Sequence, residues 1–484
     1  MKSRAFLLAA ALAVAGCFRG GGTEDTNDIT VSGQLIERNE KPVAGARVLL
    51  VPETKGSGEA ESTLTDRRGY YALHAAPGRY VLEIFAKPVG GSERNVARRE
   101  IVLQPDRNLV LPPVSAVLAL YWDHRAGLSL DASAAVSGTV TGFPMLVRLS
   151  GTSFPGDAQG DGKDIRFAKP DGSPVAYELE RWDAASRQAE VWVRMDTVKA
   201  DTGAAIWMYW GNRDAEDASH GASVFDSASG FAGAWHAHWD SGSASASLPD
   251  ASAARNTGAF QGTAPMVAAE AAIGRGISCD GVDQYLATAN PHSDPDVFTL
   301  SLWFRADTAG GKLAGLESAS IGRGTFFDRQ IWLDDDGHLR FGIFTPAPAV
   351  LTAADSPYVR LVKLPGEDPD MPDIERTVAS PGTYADGAWH QVTAVLSPEG
   401  QSLYVDGALA ATEPANANAA AFTGYWRFGG GSMGDWVGRS KKDFFKGMID
   451  EPSVALRARS AAWIRLAWLT QAPGTSRLLI RNEY

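Results

Sequence analysis

The adjacent acidic residues Asp450 and Glu451, in the late segment GMIDEPSV, are the clearest candidates for chemistry in this sequence. Two carboxyl groups on one cleft can hydrolyse glycosides, and they lie about 5–5.5 Å apart in the retaining mechanism. Adjacent residues of a strand, however, point to opposite sides of a sheet. We therefore expect no catalytic pair here. Two interpretations stay open for Asp450: a metal ligand, or an acceptor of backbone hydrogen bonds at a strand end.

Other motifs with known chemistry are missing from the sequence. It contains no P-loop, no G-x-G-x-x-G after a strand, no H-E-x-x-H and no G-x-S-x-G. His236 and His238 in WHAHW are two residues apart, as metal ligands sometimes are, but the segment is better explained as an ordinary strand. We predict that the protein has no catalytic residues and is not an enzyme.

Composition excludes one class of partner. The 484 residues carry a formal charge of −12, and no basic stripe with interleaved aromatic residues is present. Because binding to phosphates requires a basic surface, nucleic acid is not an expected partner.

The N-terminus predicts export. Residues 1–16 combine a basic start, a short apolar run and small residues, which is typical of a signal peptide. The ending VAGC resembles the bacterial lipobox, and this resemblance implies cleavage before Cys17 and attachment of lipid to its sulfur. Residues 17–28 then form a lipidated tether. Residue 18 is Phe rather than the Asp that is linked to inner-membrane retention in enteric bacteria. We therefore expect the protein in the outer membrane or at the cell surface, with the lipid as its membrane anchor.

Three β-domains are predicted after the tether. Residues 29–112 alternate apolar and polar side chains, with turns at DRRG (66–69) and PGR (77–79). The stretch from VSGQLIERNEKPVAGARVLLV to RYVLEI resembles the carboxypeptidase regulatory-like domain. The resemblance implies a small prealbumin-like sandwich that acts as a spacer.

Residues 118–228 form the second predicted domain. They contain GKDIRF, YELERW, VWV and YWGN, each in a short alternating run. These motifs resemble the family called domain of unknown function twenty-three forty-one. The resemblance implies a β-rich, sandwich-like module outside the cytoplasm, often followed by a lectin-like domain.

Residues 229–472 predict a long third β-domain. Hairpin turns are expected at Asp336-Gly337 and at Asp406-Gly407. CDGVDQYL, FTLSLWFR, GAWHQVTAVLSPEGQSLYVDGALAAT and FKGMIDEPSVALRARSAAWI resemble the concanavalin A-like, laminin-G-type jelly roll. Pro452 removes a backbone donor, which predicts an edge position or a bulge.

The resemblance also implies a possible structural Ca²⁺. PDASAARNTG is similar to the family's opening segment, with Asp250 and Asn256 at matching places, although Ala253 replaces a glycine. Together with Asp450, these residues would offer the oxygen ligands that Ca²⁺ prefers.

The ligand-binding face is predicted from alternation in FTLSLWFR (298–305). Phe298, Leu300, Leu302 and Phe304 share one side, and Trp303 and Arg305 share the other, where the indole could stack on a sugar or pack beneath a loop. Further ligand-binding candidates of the same kind are Trp426 and Trp436, in the glycine-rich loop YWRFGGGSMGDW.

The long insertion at 345–385 is predicted to be either functional or disordered, and it could fold over the Trp303 face.

The sequence thus predicts an all-β lipoprotein: a prealbumin-like sandwich, a second β-sandwich-like module and a concanavalin A-like jelly roll. We expect it to bind a glycan or glycoprotein. The alternative is a structural role with an envelope protein partner, and a glycoside hydrolase is the least favoured interpretation.

Overall fold

The structure is a computed structural model, and it describes residues 28–54, 59–133, 138–237, 247–263, 267–345, 360–362, 373–474 and 478–483. The fold is all-β, as predicted: strands account for 52% of the residues and helices for 7%. It divides into two compact units. The described residues up to Ala86, with Ala97–Val114, form the first unit, and Lys87–Val96 with the residues from Ser115 onward form the second.

The first unit contains two four-stranded sheets, ordered β4-β1-β7 with β8 beside β1, and β3-β2-β5-β6. Alternating burial in β1 places Ile29, Val31 and Leu35 in the core. The predicted turns lie between β3 and β4 and between β4 and β5. The resemblance to a carboxypeptidase regulatory-like domain remains a prediction. The strands are β1 (Ile29–Ile36), β2 (Arg47–Pro52), β3 (Glu61–Leu64), β4 (Tyr70–Ala75), β5 (Gly78–Ala86), β6 (Arg94–Leu103), β7 (Leu109–Val110) and β8 (Val114–Ser115), with a 3-10 turn at Arg38–Glu40.

The second unit begins with a sandwich, here called the second module. It pairs a three-stranded sheet, β10-β14-β13, with a five-stranded sheet, β12-β11-β15-β9-β34. Its elements are α1 (Val117–Tyr121), β9 (His124–Leu130), β10 (Thr139–Ser150), a 3-10 turn (Gly151–Ser153), β11 (Arg166–Ala168), β12 (Pro174–Val175), β13 (Tyr177–Asp183), β14 (Gln188–Lys199), β15 (Ala204–Trp210), α2 (Gly221–Val224) and, from the C-terminus, β34 (Leu478–Glu483).

The jelly roll follows as two large sheets. One has eight strands, ordered β19-β20-β33-β23-β29-β30-β31 with β16 beside β33; the other has ten, ordered β17-β18-β21-β32-β24-β25-β26-β28-β27 with β22 beside β32. The strands are β16 (Phe231–Ala234), β17 (Ser247–Leu248), β18 (Gly258–Gln261), β19 (Val267–Glu270), β20 (Arg275–Asp280), β21 (Tyr285–Thr288), β22 (His292–Ser293), β23 (Phe298–Arg305), β24 (Gly311–Glu317), β25 (Phe327–Leu333), β26 (His338–Thr345), β27 (Arg360–Val362), β28 (Asp373–Thr383), β29 (Trp389–Ser397), β30 (Gly400–Val405), β31 (Ala408–Glu413), β32 (Thr423–Phe428) and β33 (Lys446–Ala455).

The core between these sheets contains the apolar side of β23, namely Phe298, Leu300, Leu302 and Phe304, as the alternation predicted. Both predicted hairpins form. Asp406 and Gly407 have φ of 52° and 71°, so both central residues of this turn lie in the left-handed region, as a type I′ turn requires.

The C-terminus crosses back to the second module. Helix α3 (Ala461–Gln471) packs against β10, and its Leu466 and Ala467 belong to the core of the second module. Strand β34 then pairs with β9. The second module is therefore completed by α3, which lies inside the predicted jelly roll, and by β34, which lies after it. A single boundary at residue 228 does not separate the two domains.

The structure does not describe the predicted lipidated N-terminus, and it describes only part of the insertion at 345–385. Residues 1–27, including Cys17, lie outside the described residues. Most of the insertion does as well, but its described parts, β27 and β28, extend the ten-stranded sheet. Trp303 lies in the eight-stranded sheet, so this part does not cover it. Among the described helices, none has the length and apolar character needed to cross a bilayer.

Candidate functional site

Trp303 is not an open platform. Its side chain is 1% exposed and belongs to a buried apolar cluster with Trp192, Leu146 and Ile273, where the jelly roll meets the second module. Its Nε1 donates to Oε1 of Gln471 at 3.0 Å. Because both ring faces are covered, the predicted sugar-stacking role is wrong for this structure, and the packing alternative is correct. The cover is the second module and α3 rather than the insertion.

The other predicted ligand-binding residues are also enclosed. Trp426 is 0% exposed in the jelly-roll core, and Trp436 is 2% exposed against Trp332 and Phe344. Arg305 is half-buried, with its guanidinium 5.5 Å from the centre of the Trp389 ring. Neither indole can reach a ligand, because both are buried. The sequence could not show this, since residue types and spacing do not tell whether another element covers a side chain.

The residues proposed for Ca²⁺ hold the chain through hydrogen bonds. Asp250 accepts from the backbone N–H groups of Ala234, Ser252 and Asn256. The amide of Asn256 exchanges two hydrogen bonds with the backbone of Asn290. Asp450 accepts from the backbone of Ile273 and Glu451. These bonds fit the interpretation of Asp450 as a backbone acceptor, and the Ca²⁺ site remains a prediction.

An open cleft lies at one end of the jelly roll. Its volume is about 460 Å³, and loops from several strands form it. The lining combines aromatic, charged and backbone groups: Gln261, Gly262, Asp283, Tyr285, Ile321, Gly322, Arg323, Arg427, Gly431, Ser432, Asp443 and Phe444. Gly431 and Ser432 belong to the glycine-rich loop that the sequence singled out, so that signal located one wall of the cleft.

The floor of the cleft is rigid. Arg427 donates to the backbone oxygens of Ala319 and Gly322 and stacks over Tyr285, with its guanidinium carbon 4.7 Å from the ring centre. Tyr285 in turn accepts from the N–H of Gly322. These contacts fix the loop that carries Ile321 and Arg323, both of which are exposed at the rim. A fixed floor with an exposed rim suits binding without large rearrangement.

A second polar cluster is buried between the second module and the jelly roll. Nδ1 of His236 lies 2.7 Å from Oε2 of Glu451 and 4.0 Å from Oε2 of Glu180, and its Nε2 lies 3.4 Å from Oε2 of Glu178. Trp192 Nε1 donates to Oε2 of Glu180 at 2.7 Å. We call His236, Glu178, Glu180, Asp450 and Glu451 the junction cluster.

Burial and like charge disturb the protonation of the junction cluster. Burial, followed by repulsion from Glu451, raises the pKa of Glu180 and Asp450 well above the ordinary carboxyl value. Burial also raises the pKa of Glu451, although His236 opposes this. The pKa of His236 is raised well above its usual value, because the carboxylates outweigh the effect of burial.

A bulge explains how Asp450 and Glu451 enter one cluster. The pairing of β23 with β33 shifts between Ser301 and Trp303, and Glu451 has a φ of 49°. An extra residue in one strand breaks the alternation of side chains. The expectation that these two acids face opposite sides was therefore wrong, whereas the bulge predicted from Pro452 is confirmed. His236, explained above as part of an ordinary strand, follows the end of β16 and belongs to the cluster.

Two family models match the chain. Residues 161–242 match the domain of unknown function (DUF2341), and residues 366–465 match the concanavalin A-like lectin/glucanases superfamily. The third domain is thus a concanavalin A-like jelly roll, a fold that fits a binding role. Comparison with curated proteins found no match.

Solved structures resemble the fold at low identity. The binding domain of Paraclostridial Mosquitocidal Protein 1 is 10% identical, with 50% of this chain and 52% of that chain covered and a TM-score of 0.34. The chain therefore spans about half the length of that binding-domain structure. Domain 4 of the arabinanase AbnA from Geobacillus stearothermophilus, in complex with arabinotriose, is 13% identical over 49% of this chain and 98% of that chain, with a TM-score of 0.30. The CBM40 of the Ruminococcus gnavus IT-sialidase, bound to sialyllactose, is 14% identical over 36% and 82%, with a TM-score of 0.23.

Proposed function

We propose that the protein is a lipid-anchored component of the bacterial cell envelope that binds a glycan or glycoprotein through the cleft of its jelly roll. The observation that carries this proposal is the cleft itself, which combines aromatic rings with charged groups on a fixed floor. The lipobox resemblance at Cys17 supports the anchor, and the outer membrane or cell surface is the location we propose.

The lining of the cleft suits a carbohydrate. Sugars present apolar faces, which pack on aromatic rings, and hydroxyl groups, which need polar partners. Phe444 is half-buried at the wall, and Ile321 is 69% exposed at the rim. Asp283 accepts from the N–H of Thr263 through Oδ2, while its Oδ1 has no hydrogen-bond partner among the described residues. Arg323 adds several donors at the rim.

The role that we propose is binding without catalysis. The acidic pair that first suggested glycoside hydrolysis is enclosed, with Asp450 1% exposed and the Glu451 side chain 9% exposed. A polysaccharide cannot reach carboxyl groups that lie beneath another module. This burial supports binding over hydrolysis at that pair.

The test is a glycan array followed by titration of the strongest ligand against the soluble chain from residue 18. Arg323→Ala should weaken binding about tenfold or more, equivalent to about 1.4 kcal/mol, by removing donors at the rim. Ile321→Asp should also weaken binding, because it places a charge on the apolar part of the rim. Neither side chain belongs to the core, so both variants should keep the wild-type unfolding midpoint.

Arg457→Ala is the matched control, since Arg457 is an exposed arginine elsewhere on the jelly roll, and it should bind like wild type. If the Arg323 and Ile321 variants bind as tightly as wild type, the cleft is not the site. If the array shows no ligand and envelope proteins co-purify with the chain, the assembly role replaces glycan binding.

A further inference from the structure

The junction cluster brings together ligand atoms from separate parts of the chain. Glu180 comes from β13 of the second module, while His236 follows β16 and Glu451 lies in β33 of the jelly roll. One ligand atom from each lies within 4.8 Å of the other two. Three potential ligands therefore meet at the contact between the second module and the jelly roll.

The charges of the cluster do not balance. Four carboxyl groups, from Glu178, Glu180, Asp450 and Glu451, surround one imidazole. Arg148 is near enough to act on the charges of these acids, but its guanidinium donates to the backbone oxygens of Ala272, Thr470 and Gln471. With all acids ionised, two positive groups face four negative ones. Such an excess is costly in a buried site, and either protons or a cation must reduce it.

One carboxylate oxygen of the cluster lacks a partner. Oε1 of Glu451 is buried and has no hydrogen-bond partner among the described residues, whereas Nε2 of His236 and Oε2 of Glu178 face each other as an ion pair at 3.4 Å. The side chains of Glu451 and His236 are only 9% and 5% exposed. Buried polar atoms are nearly always paired with protein, water or an ion. The unpaired Oε1 of Glu451 therefore indicates a missing partner.

The backbone at Glu451 brings its carboxylate into the cluster. Its φ of 49° lies in the left-handed region, which a residue with a long side chain rarely adopts. The bulge is what turns the Glu451 carboxylate toward His236.

We propose that the junction binds one divalent transition-metal cation, of which Zn²⁺ is the probe, through Glu180, His236 and Glu451. An imidazole with two carboxylates suits zinc-like ions, whereas Ca²⁺ prefers oxygen ligands alone. Zinc holds nitrogen and oxygen at about 2.0–2.2 Å, so neighbouring ligand atoms lie about 3.3–3.6 Å apart around a tetrahedral ion. Nδ1 of His236 lies 4.0 Å from Oε2 of Glu180 and hydrogen-bonds to Oε2 of Glu451 at 2.7 Å, so the ion would take the place of the proton in that hydrogen bond.

The ion would fasten the second module to the jelly roll. It would offset two negative charges and bind ligands from the second module and from the jelly roll, and it would therefore stabilise the contact between them. A groove of about 870 Å³ reaches the cluster, and Glu180 and Ala237, the neighbour of His236, both line it. The ion therefore has a route to its ligands from solvent. This cation site is independent of the carbohydrate cleft.

The experiment is a calorimetric titration of the chelator-stripped soluble chain with ZnCl₂, together with thermal unfolding. We expect one ion per chain and a rise in Tm of a few degrees at a hundredfold excess over Kd. Glu451→Gln and His236→Ala should each weaken zinc binding at least tenfold. Glu451→Gln keeps the side-chain volume and removes a repelling charge, so it should fold, and its Tm should no longer respond to zinc.

Glu270→Gln is the control, because Glu270 is an exposed carboxylate at the same junction and pairs with Arg181. It should bind zinc like wild type. The proposal fails if the wild-type chain binds no zinc, if Glu451→Gln binds as tightly as wild type, or if CaCl₂ raises Tm while ZnCl₂ does not. The last outcome would exclude His236 as a ligand.

Discussion

Two buried groups of charged residues differ in how their charges are matched. Inside the jelly roll, Lys312 and Arg427 enclose Glu317; its Oε1 lies 2.6 Å from Lys312 Nζ and its Oε2 lies 3.1 Å from Arg427. All three are at most 1% exposed. The backbone N–H of Ser432 donates to the same carboxylate. In the junction cluster, by contrast, the acids outnumber the cations.

The difference separates charges that hold a structure from charges that await a ligand. Each charge of the Lys312–Glu317–Arg427 network has an opposite charge in contact, and both cations hold the single carboxylate. Arg427 also supports the floor of the cleft. The junction cluster is also buried but has an excess of carboxyl groups, which is why we assign a cation to it and not to the network.

Glu317→Ala should have the largest effect on stability. It leaves Lys312 and Arg427 buried without their counter-charge, and breaking a buried pair in this way costs about 5 kcal/mol. Urea unfolding of the soluble chain measures the loss. Glu399→Ala removes an exposed acid from the same domain and should leave the midpoint unchanged. A Glu317 variant as stable as the Glu399 variant would show that the network does not hold this part of the domain together.

Trp303→Ala should have the next largest effect. Truncating a buried tryptophan leaves a cavity and costs about 3–4 kcal/mol, with partial relaxation between the second module and the jelly roll. Trp303→Phe keeps most of the packing and loses the bond to Gln471, so it should cost about 1–2 kcal/mol. Both are measured by thermal or urea unfolding. Glycan binding in the cleft should be unchanged in both variants, and a loss of binding at wild-type stability would restore the stacking interpretation.

The sequence predicted the strands better than their surroundings. Alternation over Phe298 to Arg305 correctly placed one side of β23 in the core. The same alternation could not tell that the second module covers Trp303, because a polar-patterned side of a strand can face solvent or another module. Strand β34 was missed for a related reason: it is short, and its partner β9 lies more than 300 residues away in sequence.

The candidate sites show the same limit. Asp450 and Glu451 were recognised as chemically suggestive, and Pro452 predicted a bulge, yet the effect of that bulge on the direction of Glu451 was not drawn from the sequence. The sequence did not identify Glu180, in the YELERW motif, as a site residue, because its partners come from distant segments of the chain. The cleft is likewise assembled from separate loops, of which the glycine-rich loop alone carried a signal.

A third charged group, at the surface, should give the smallest effect. His390 contacts Asp406 through Nδ1 at 2.7 Å and Asp386 through Nε2 at 3.1 Å, and the ring of Tyr384 packs edge-on against it. Burial lowers the pKa of His390, but the two carboxylates outweigh it and raise the pKa above the usual value. The folded state therefore binds this proton more tightly than the unfolded state does.

The sign of the pH dependence follows from that shift. The stabilisation from His390 is fully present below the unfolded-state pKa of about 6.5, and it is lost as pH rises through the higher folded-state pKa. We expect a contribution below about 1 kcal/mol, because the group lies near the surface and is screened. Unfolding free energies of wild type and His390→Gln, measured from pH 5.5 to 8.5, should converge as pH rises. A difference in unfolding free energy that widens with pH would mean that the ring is held neutral in the folded state. The two carboxylates would then not raise the pKa of His390.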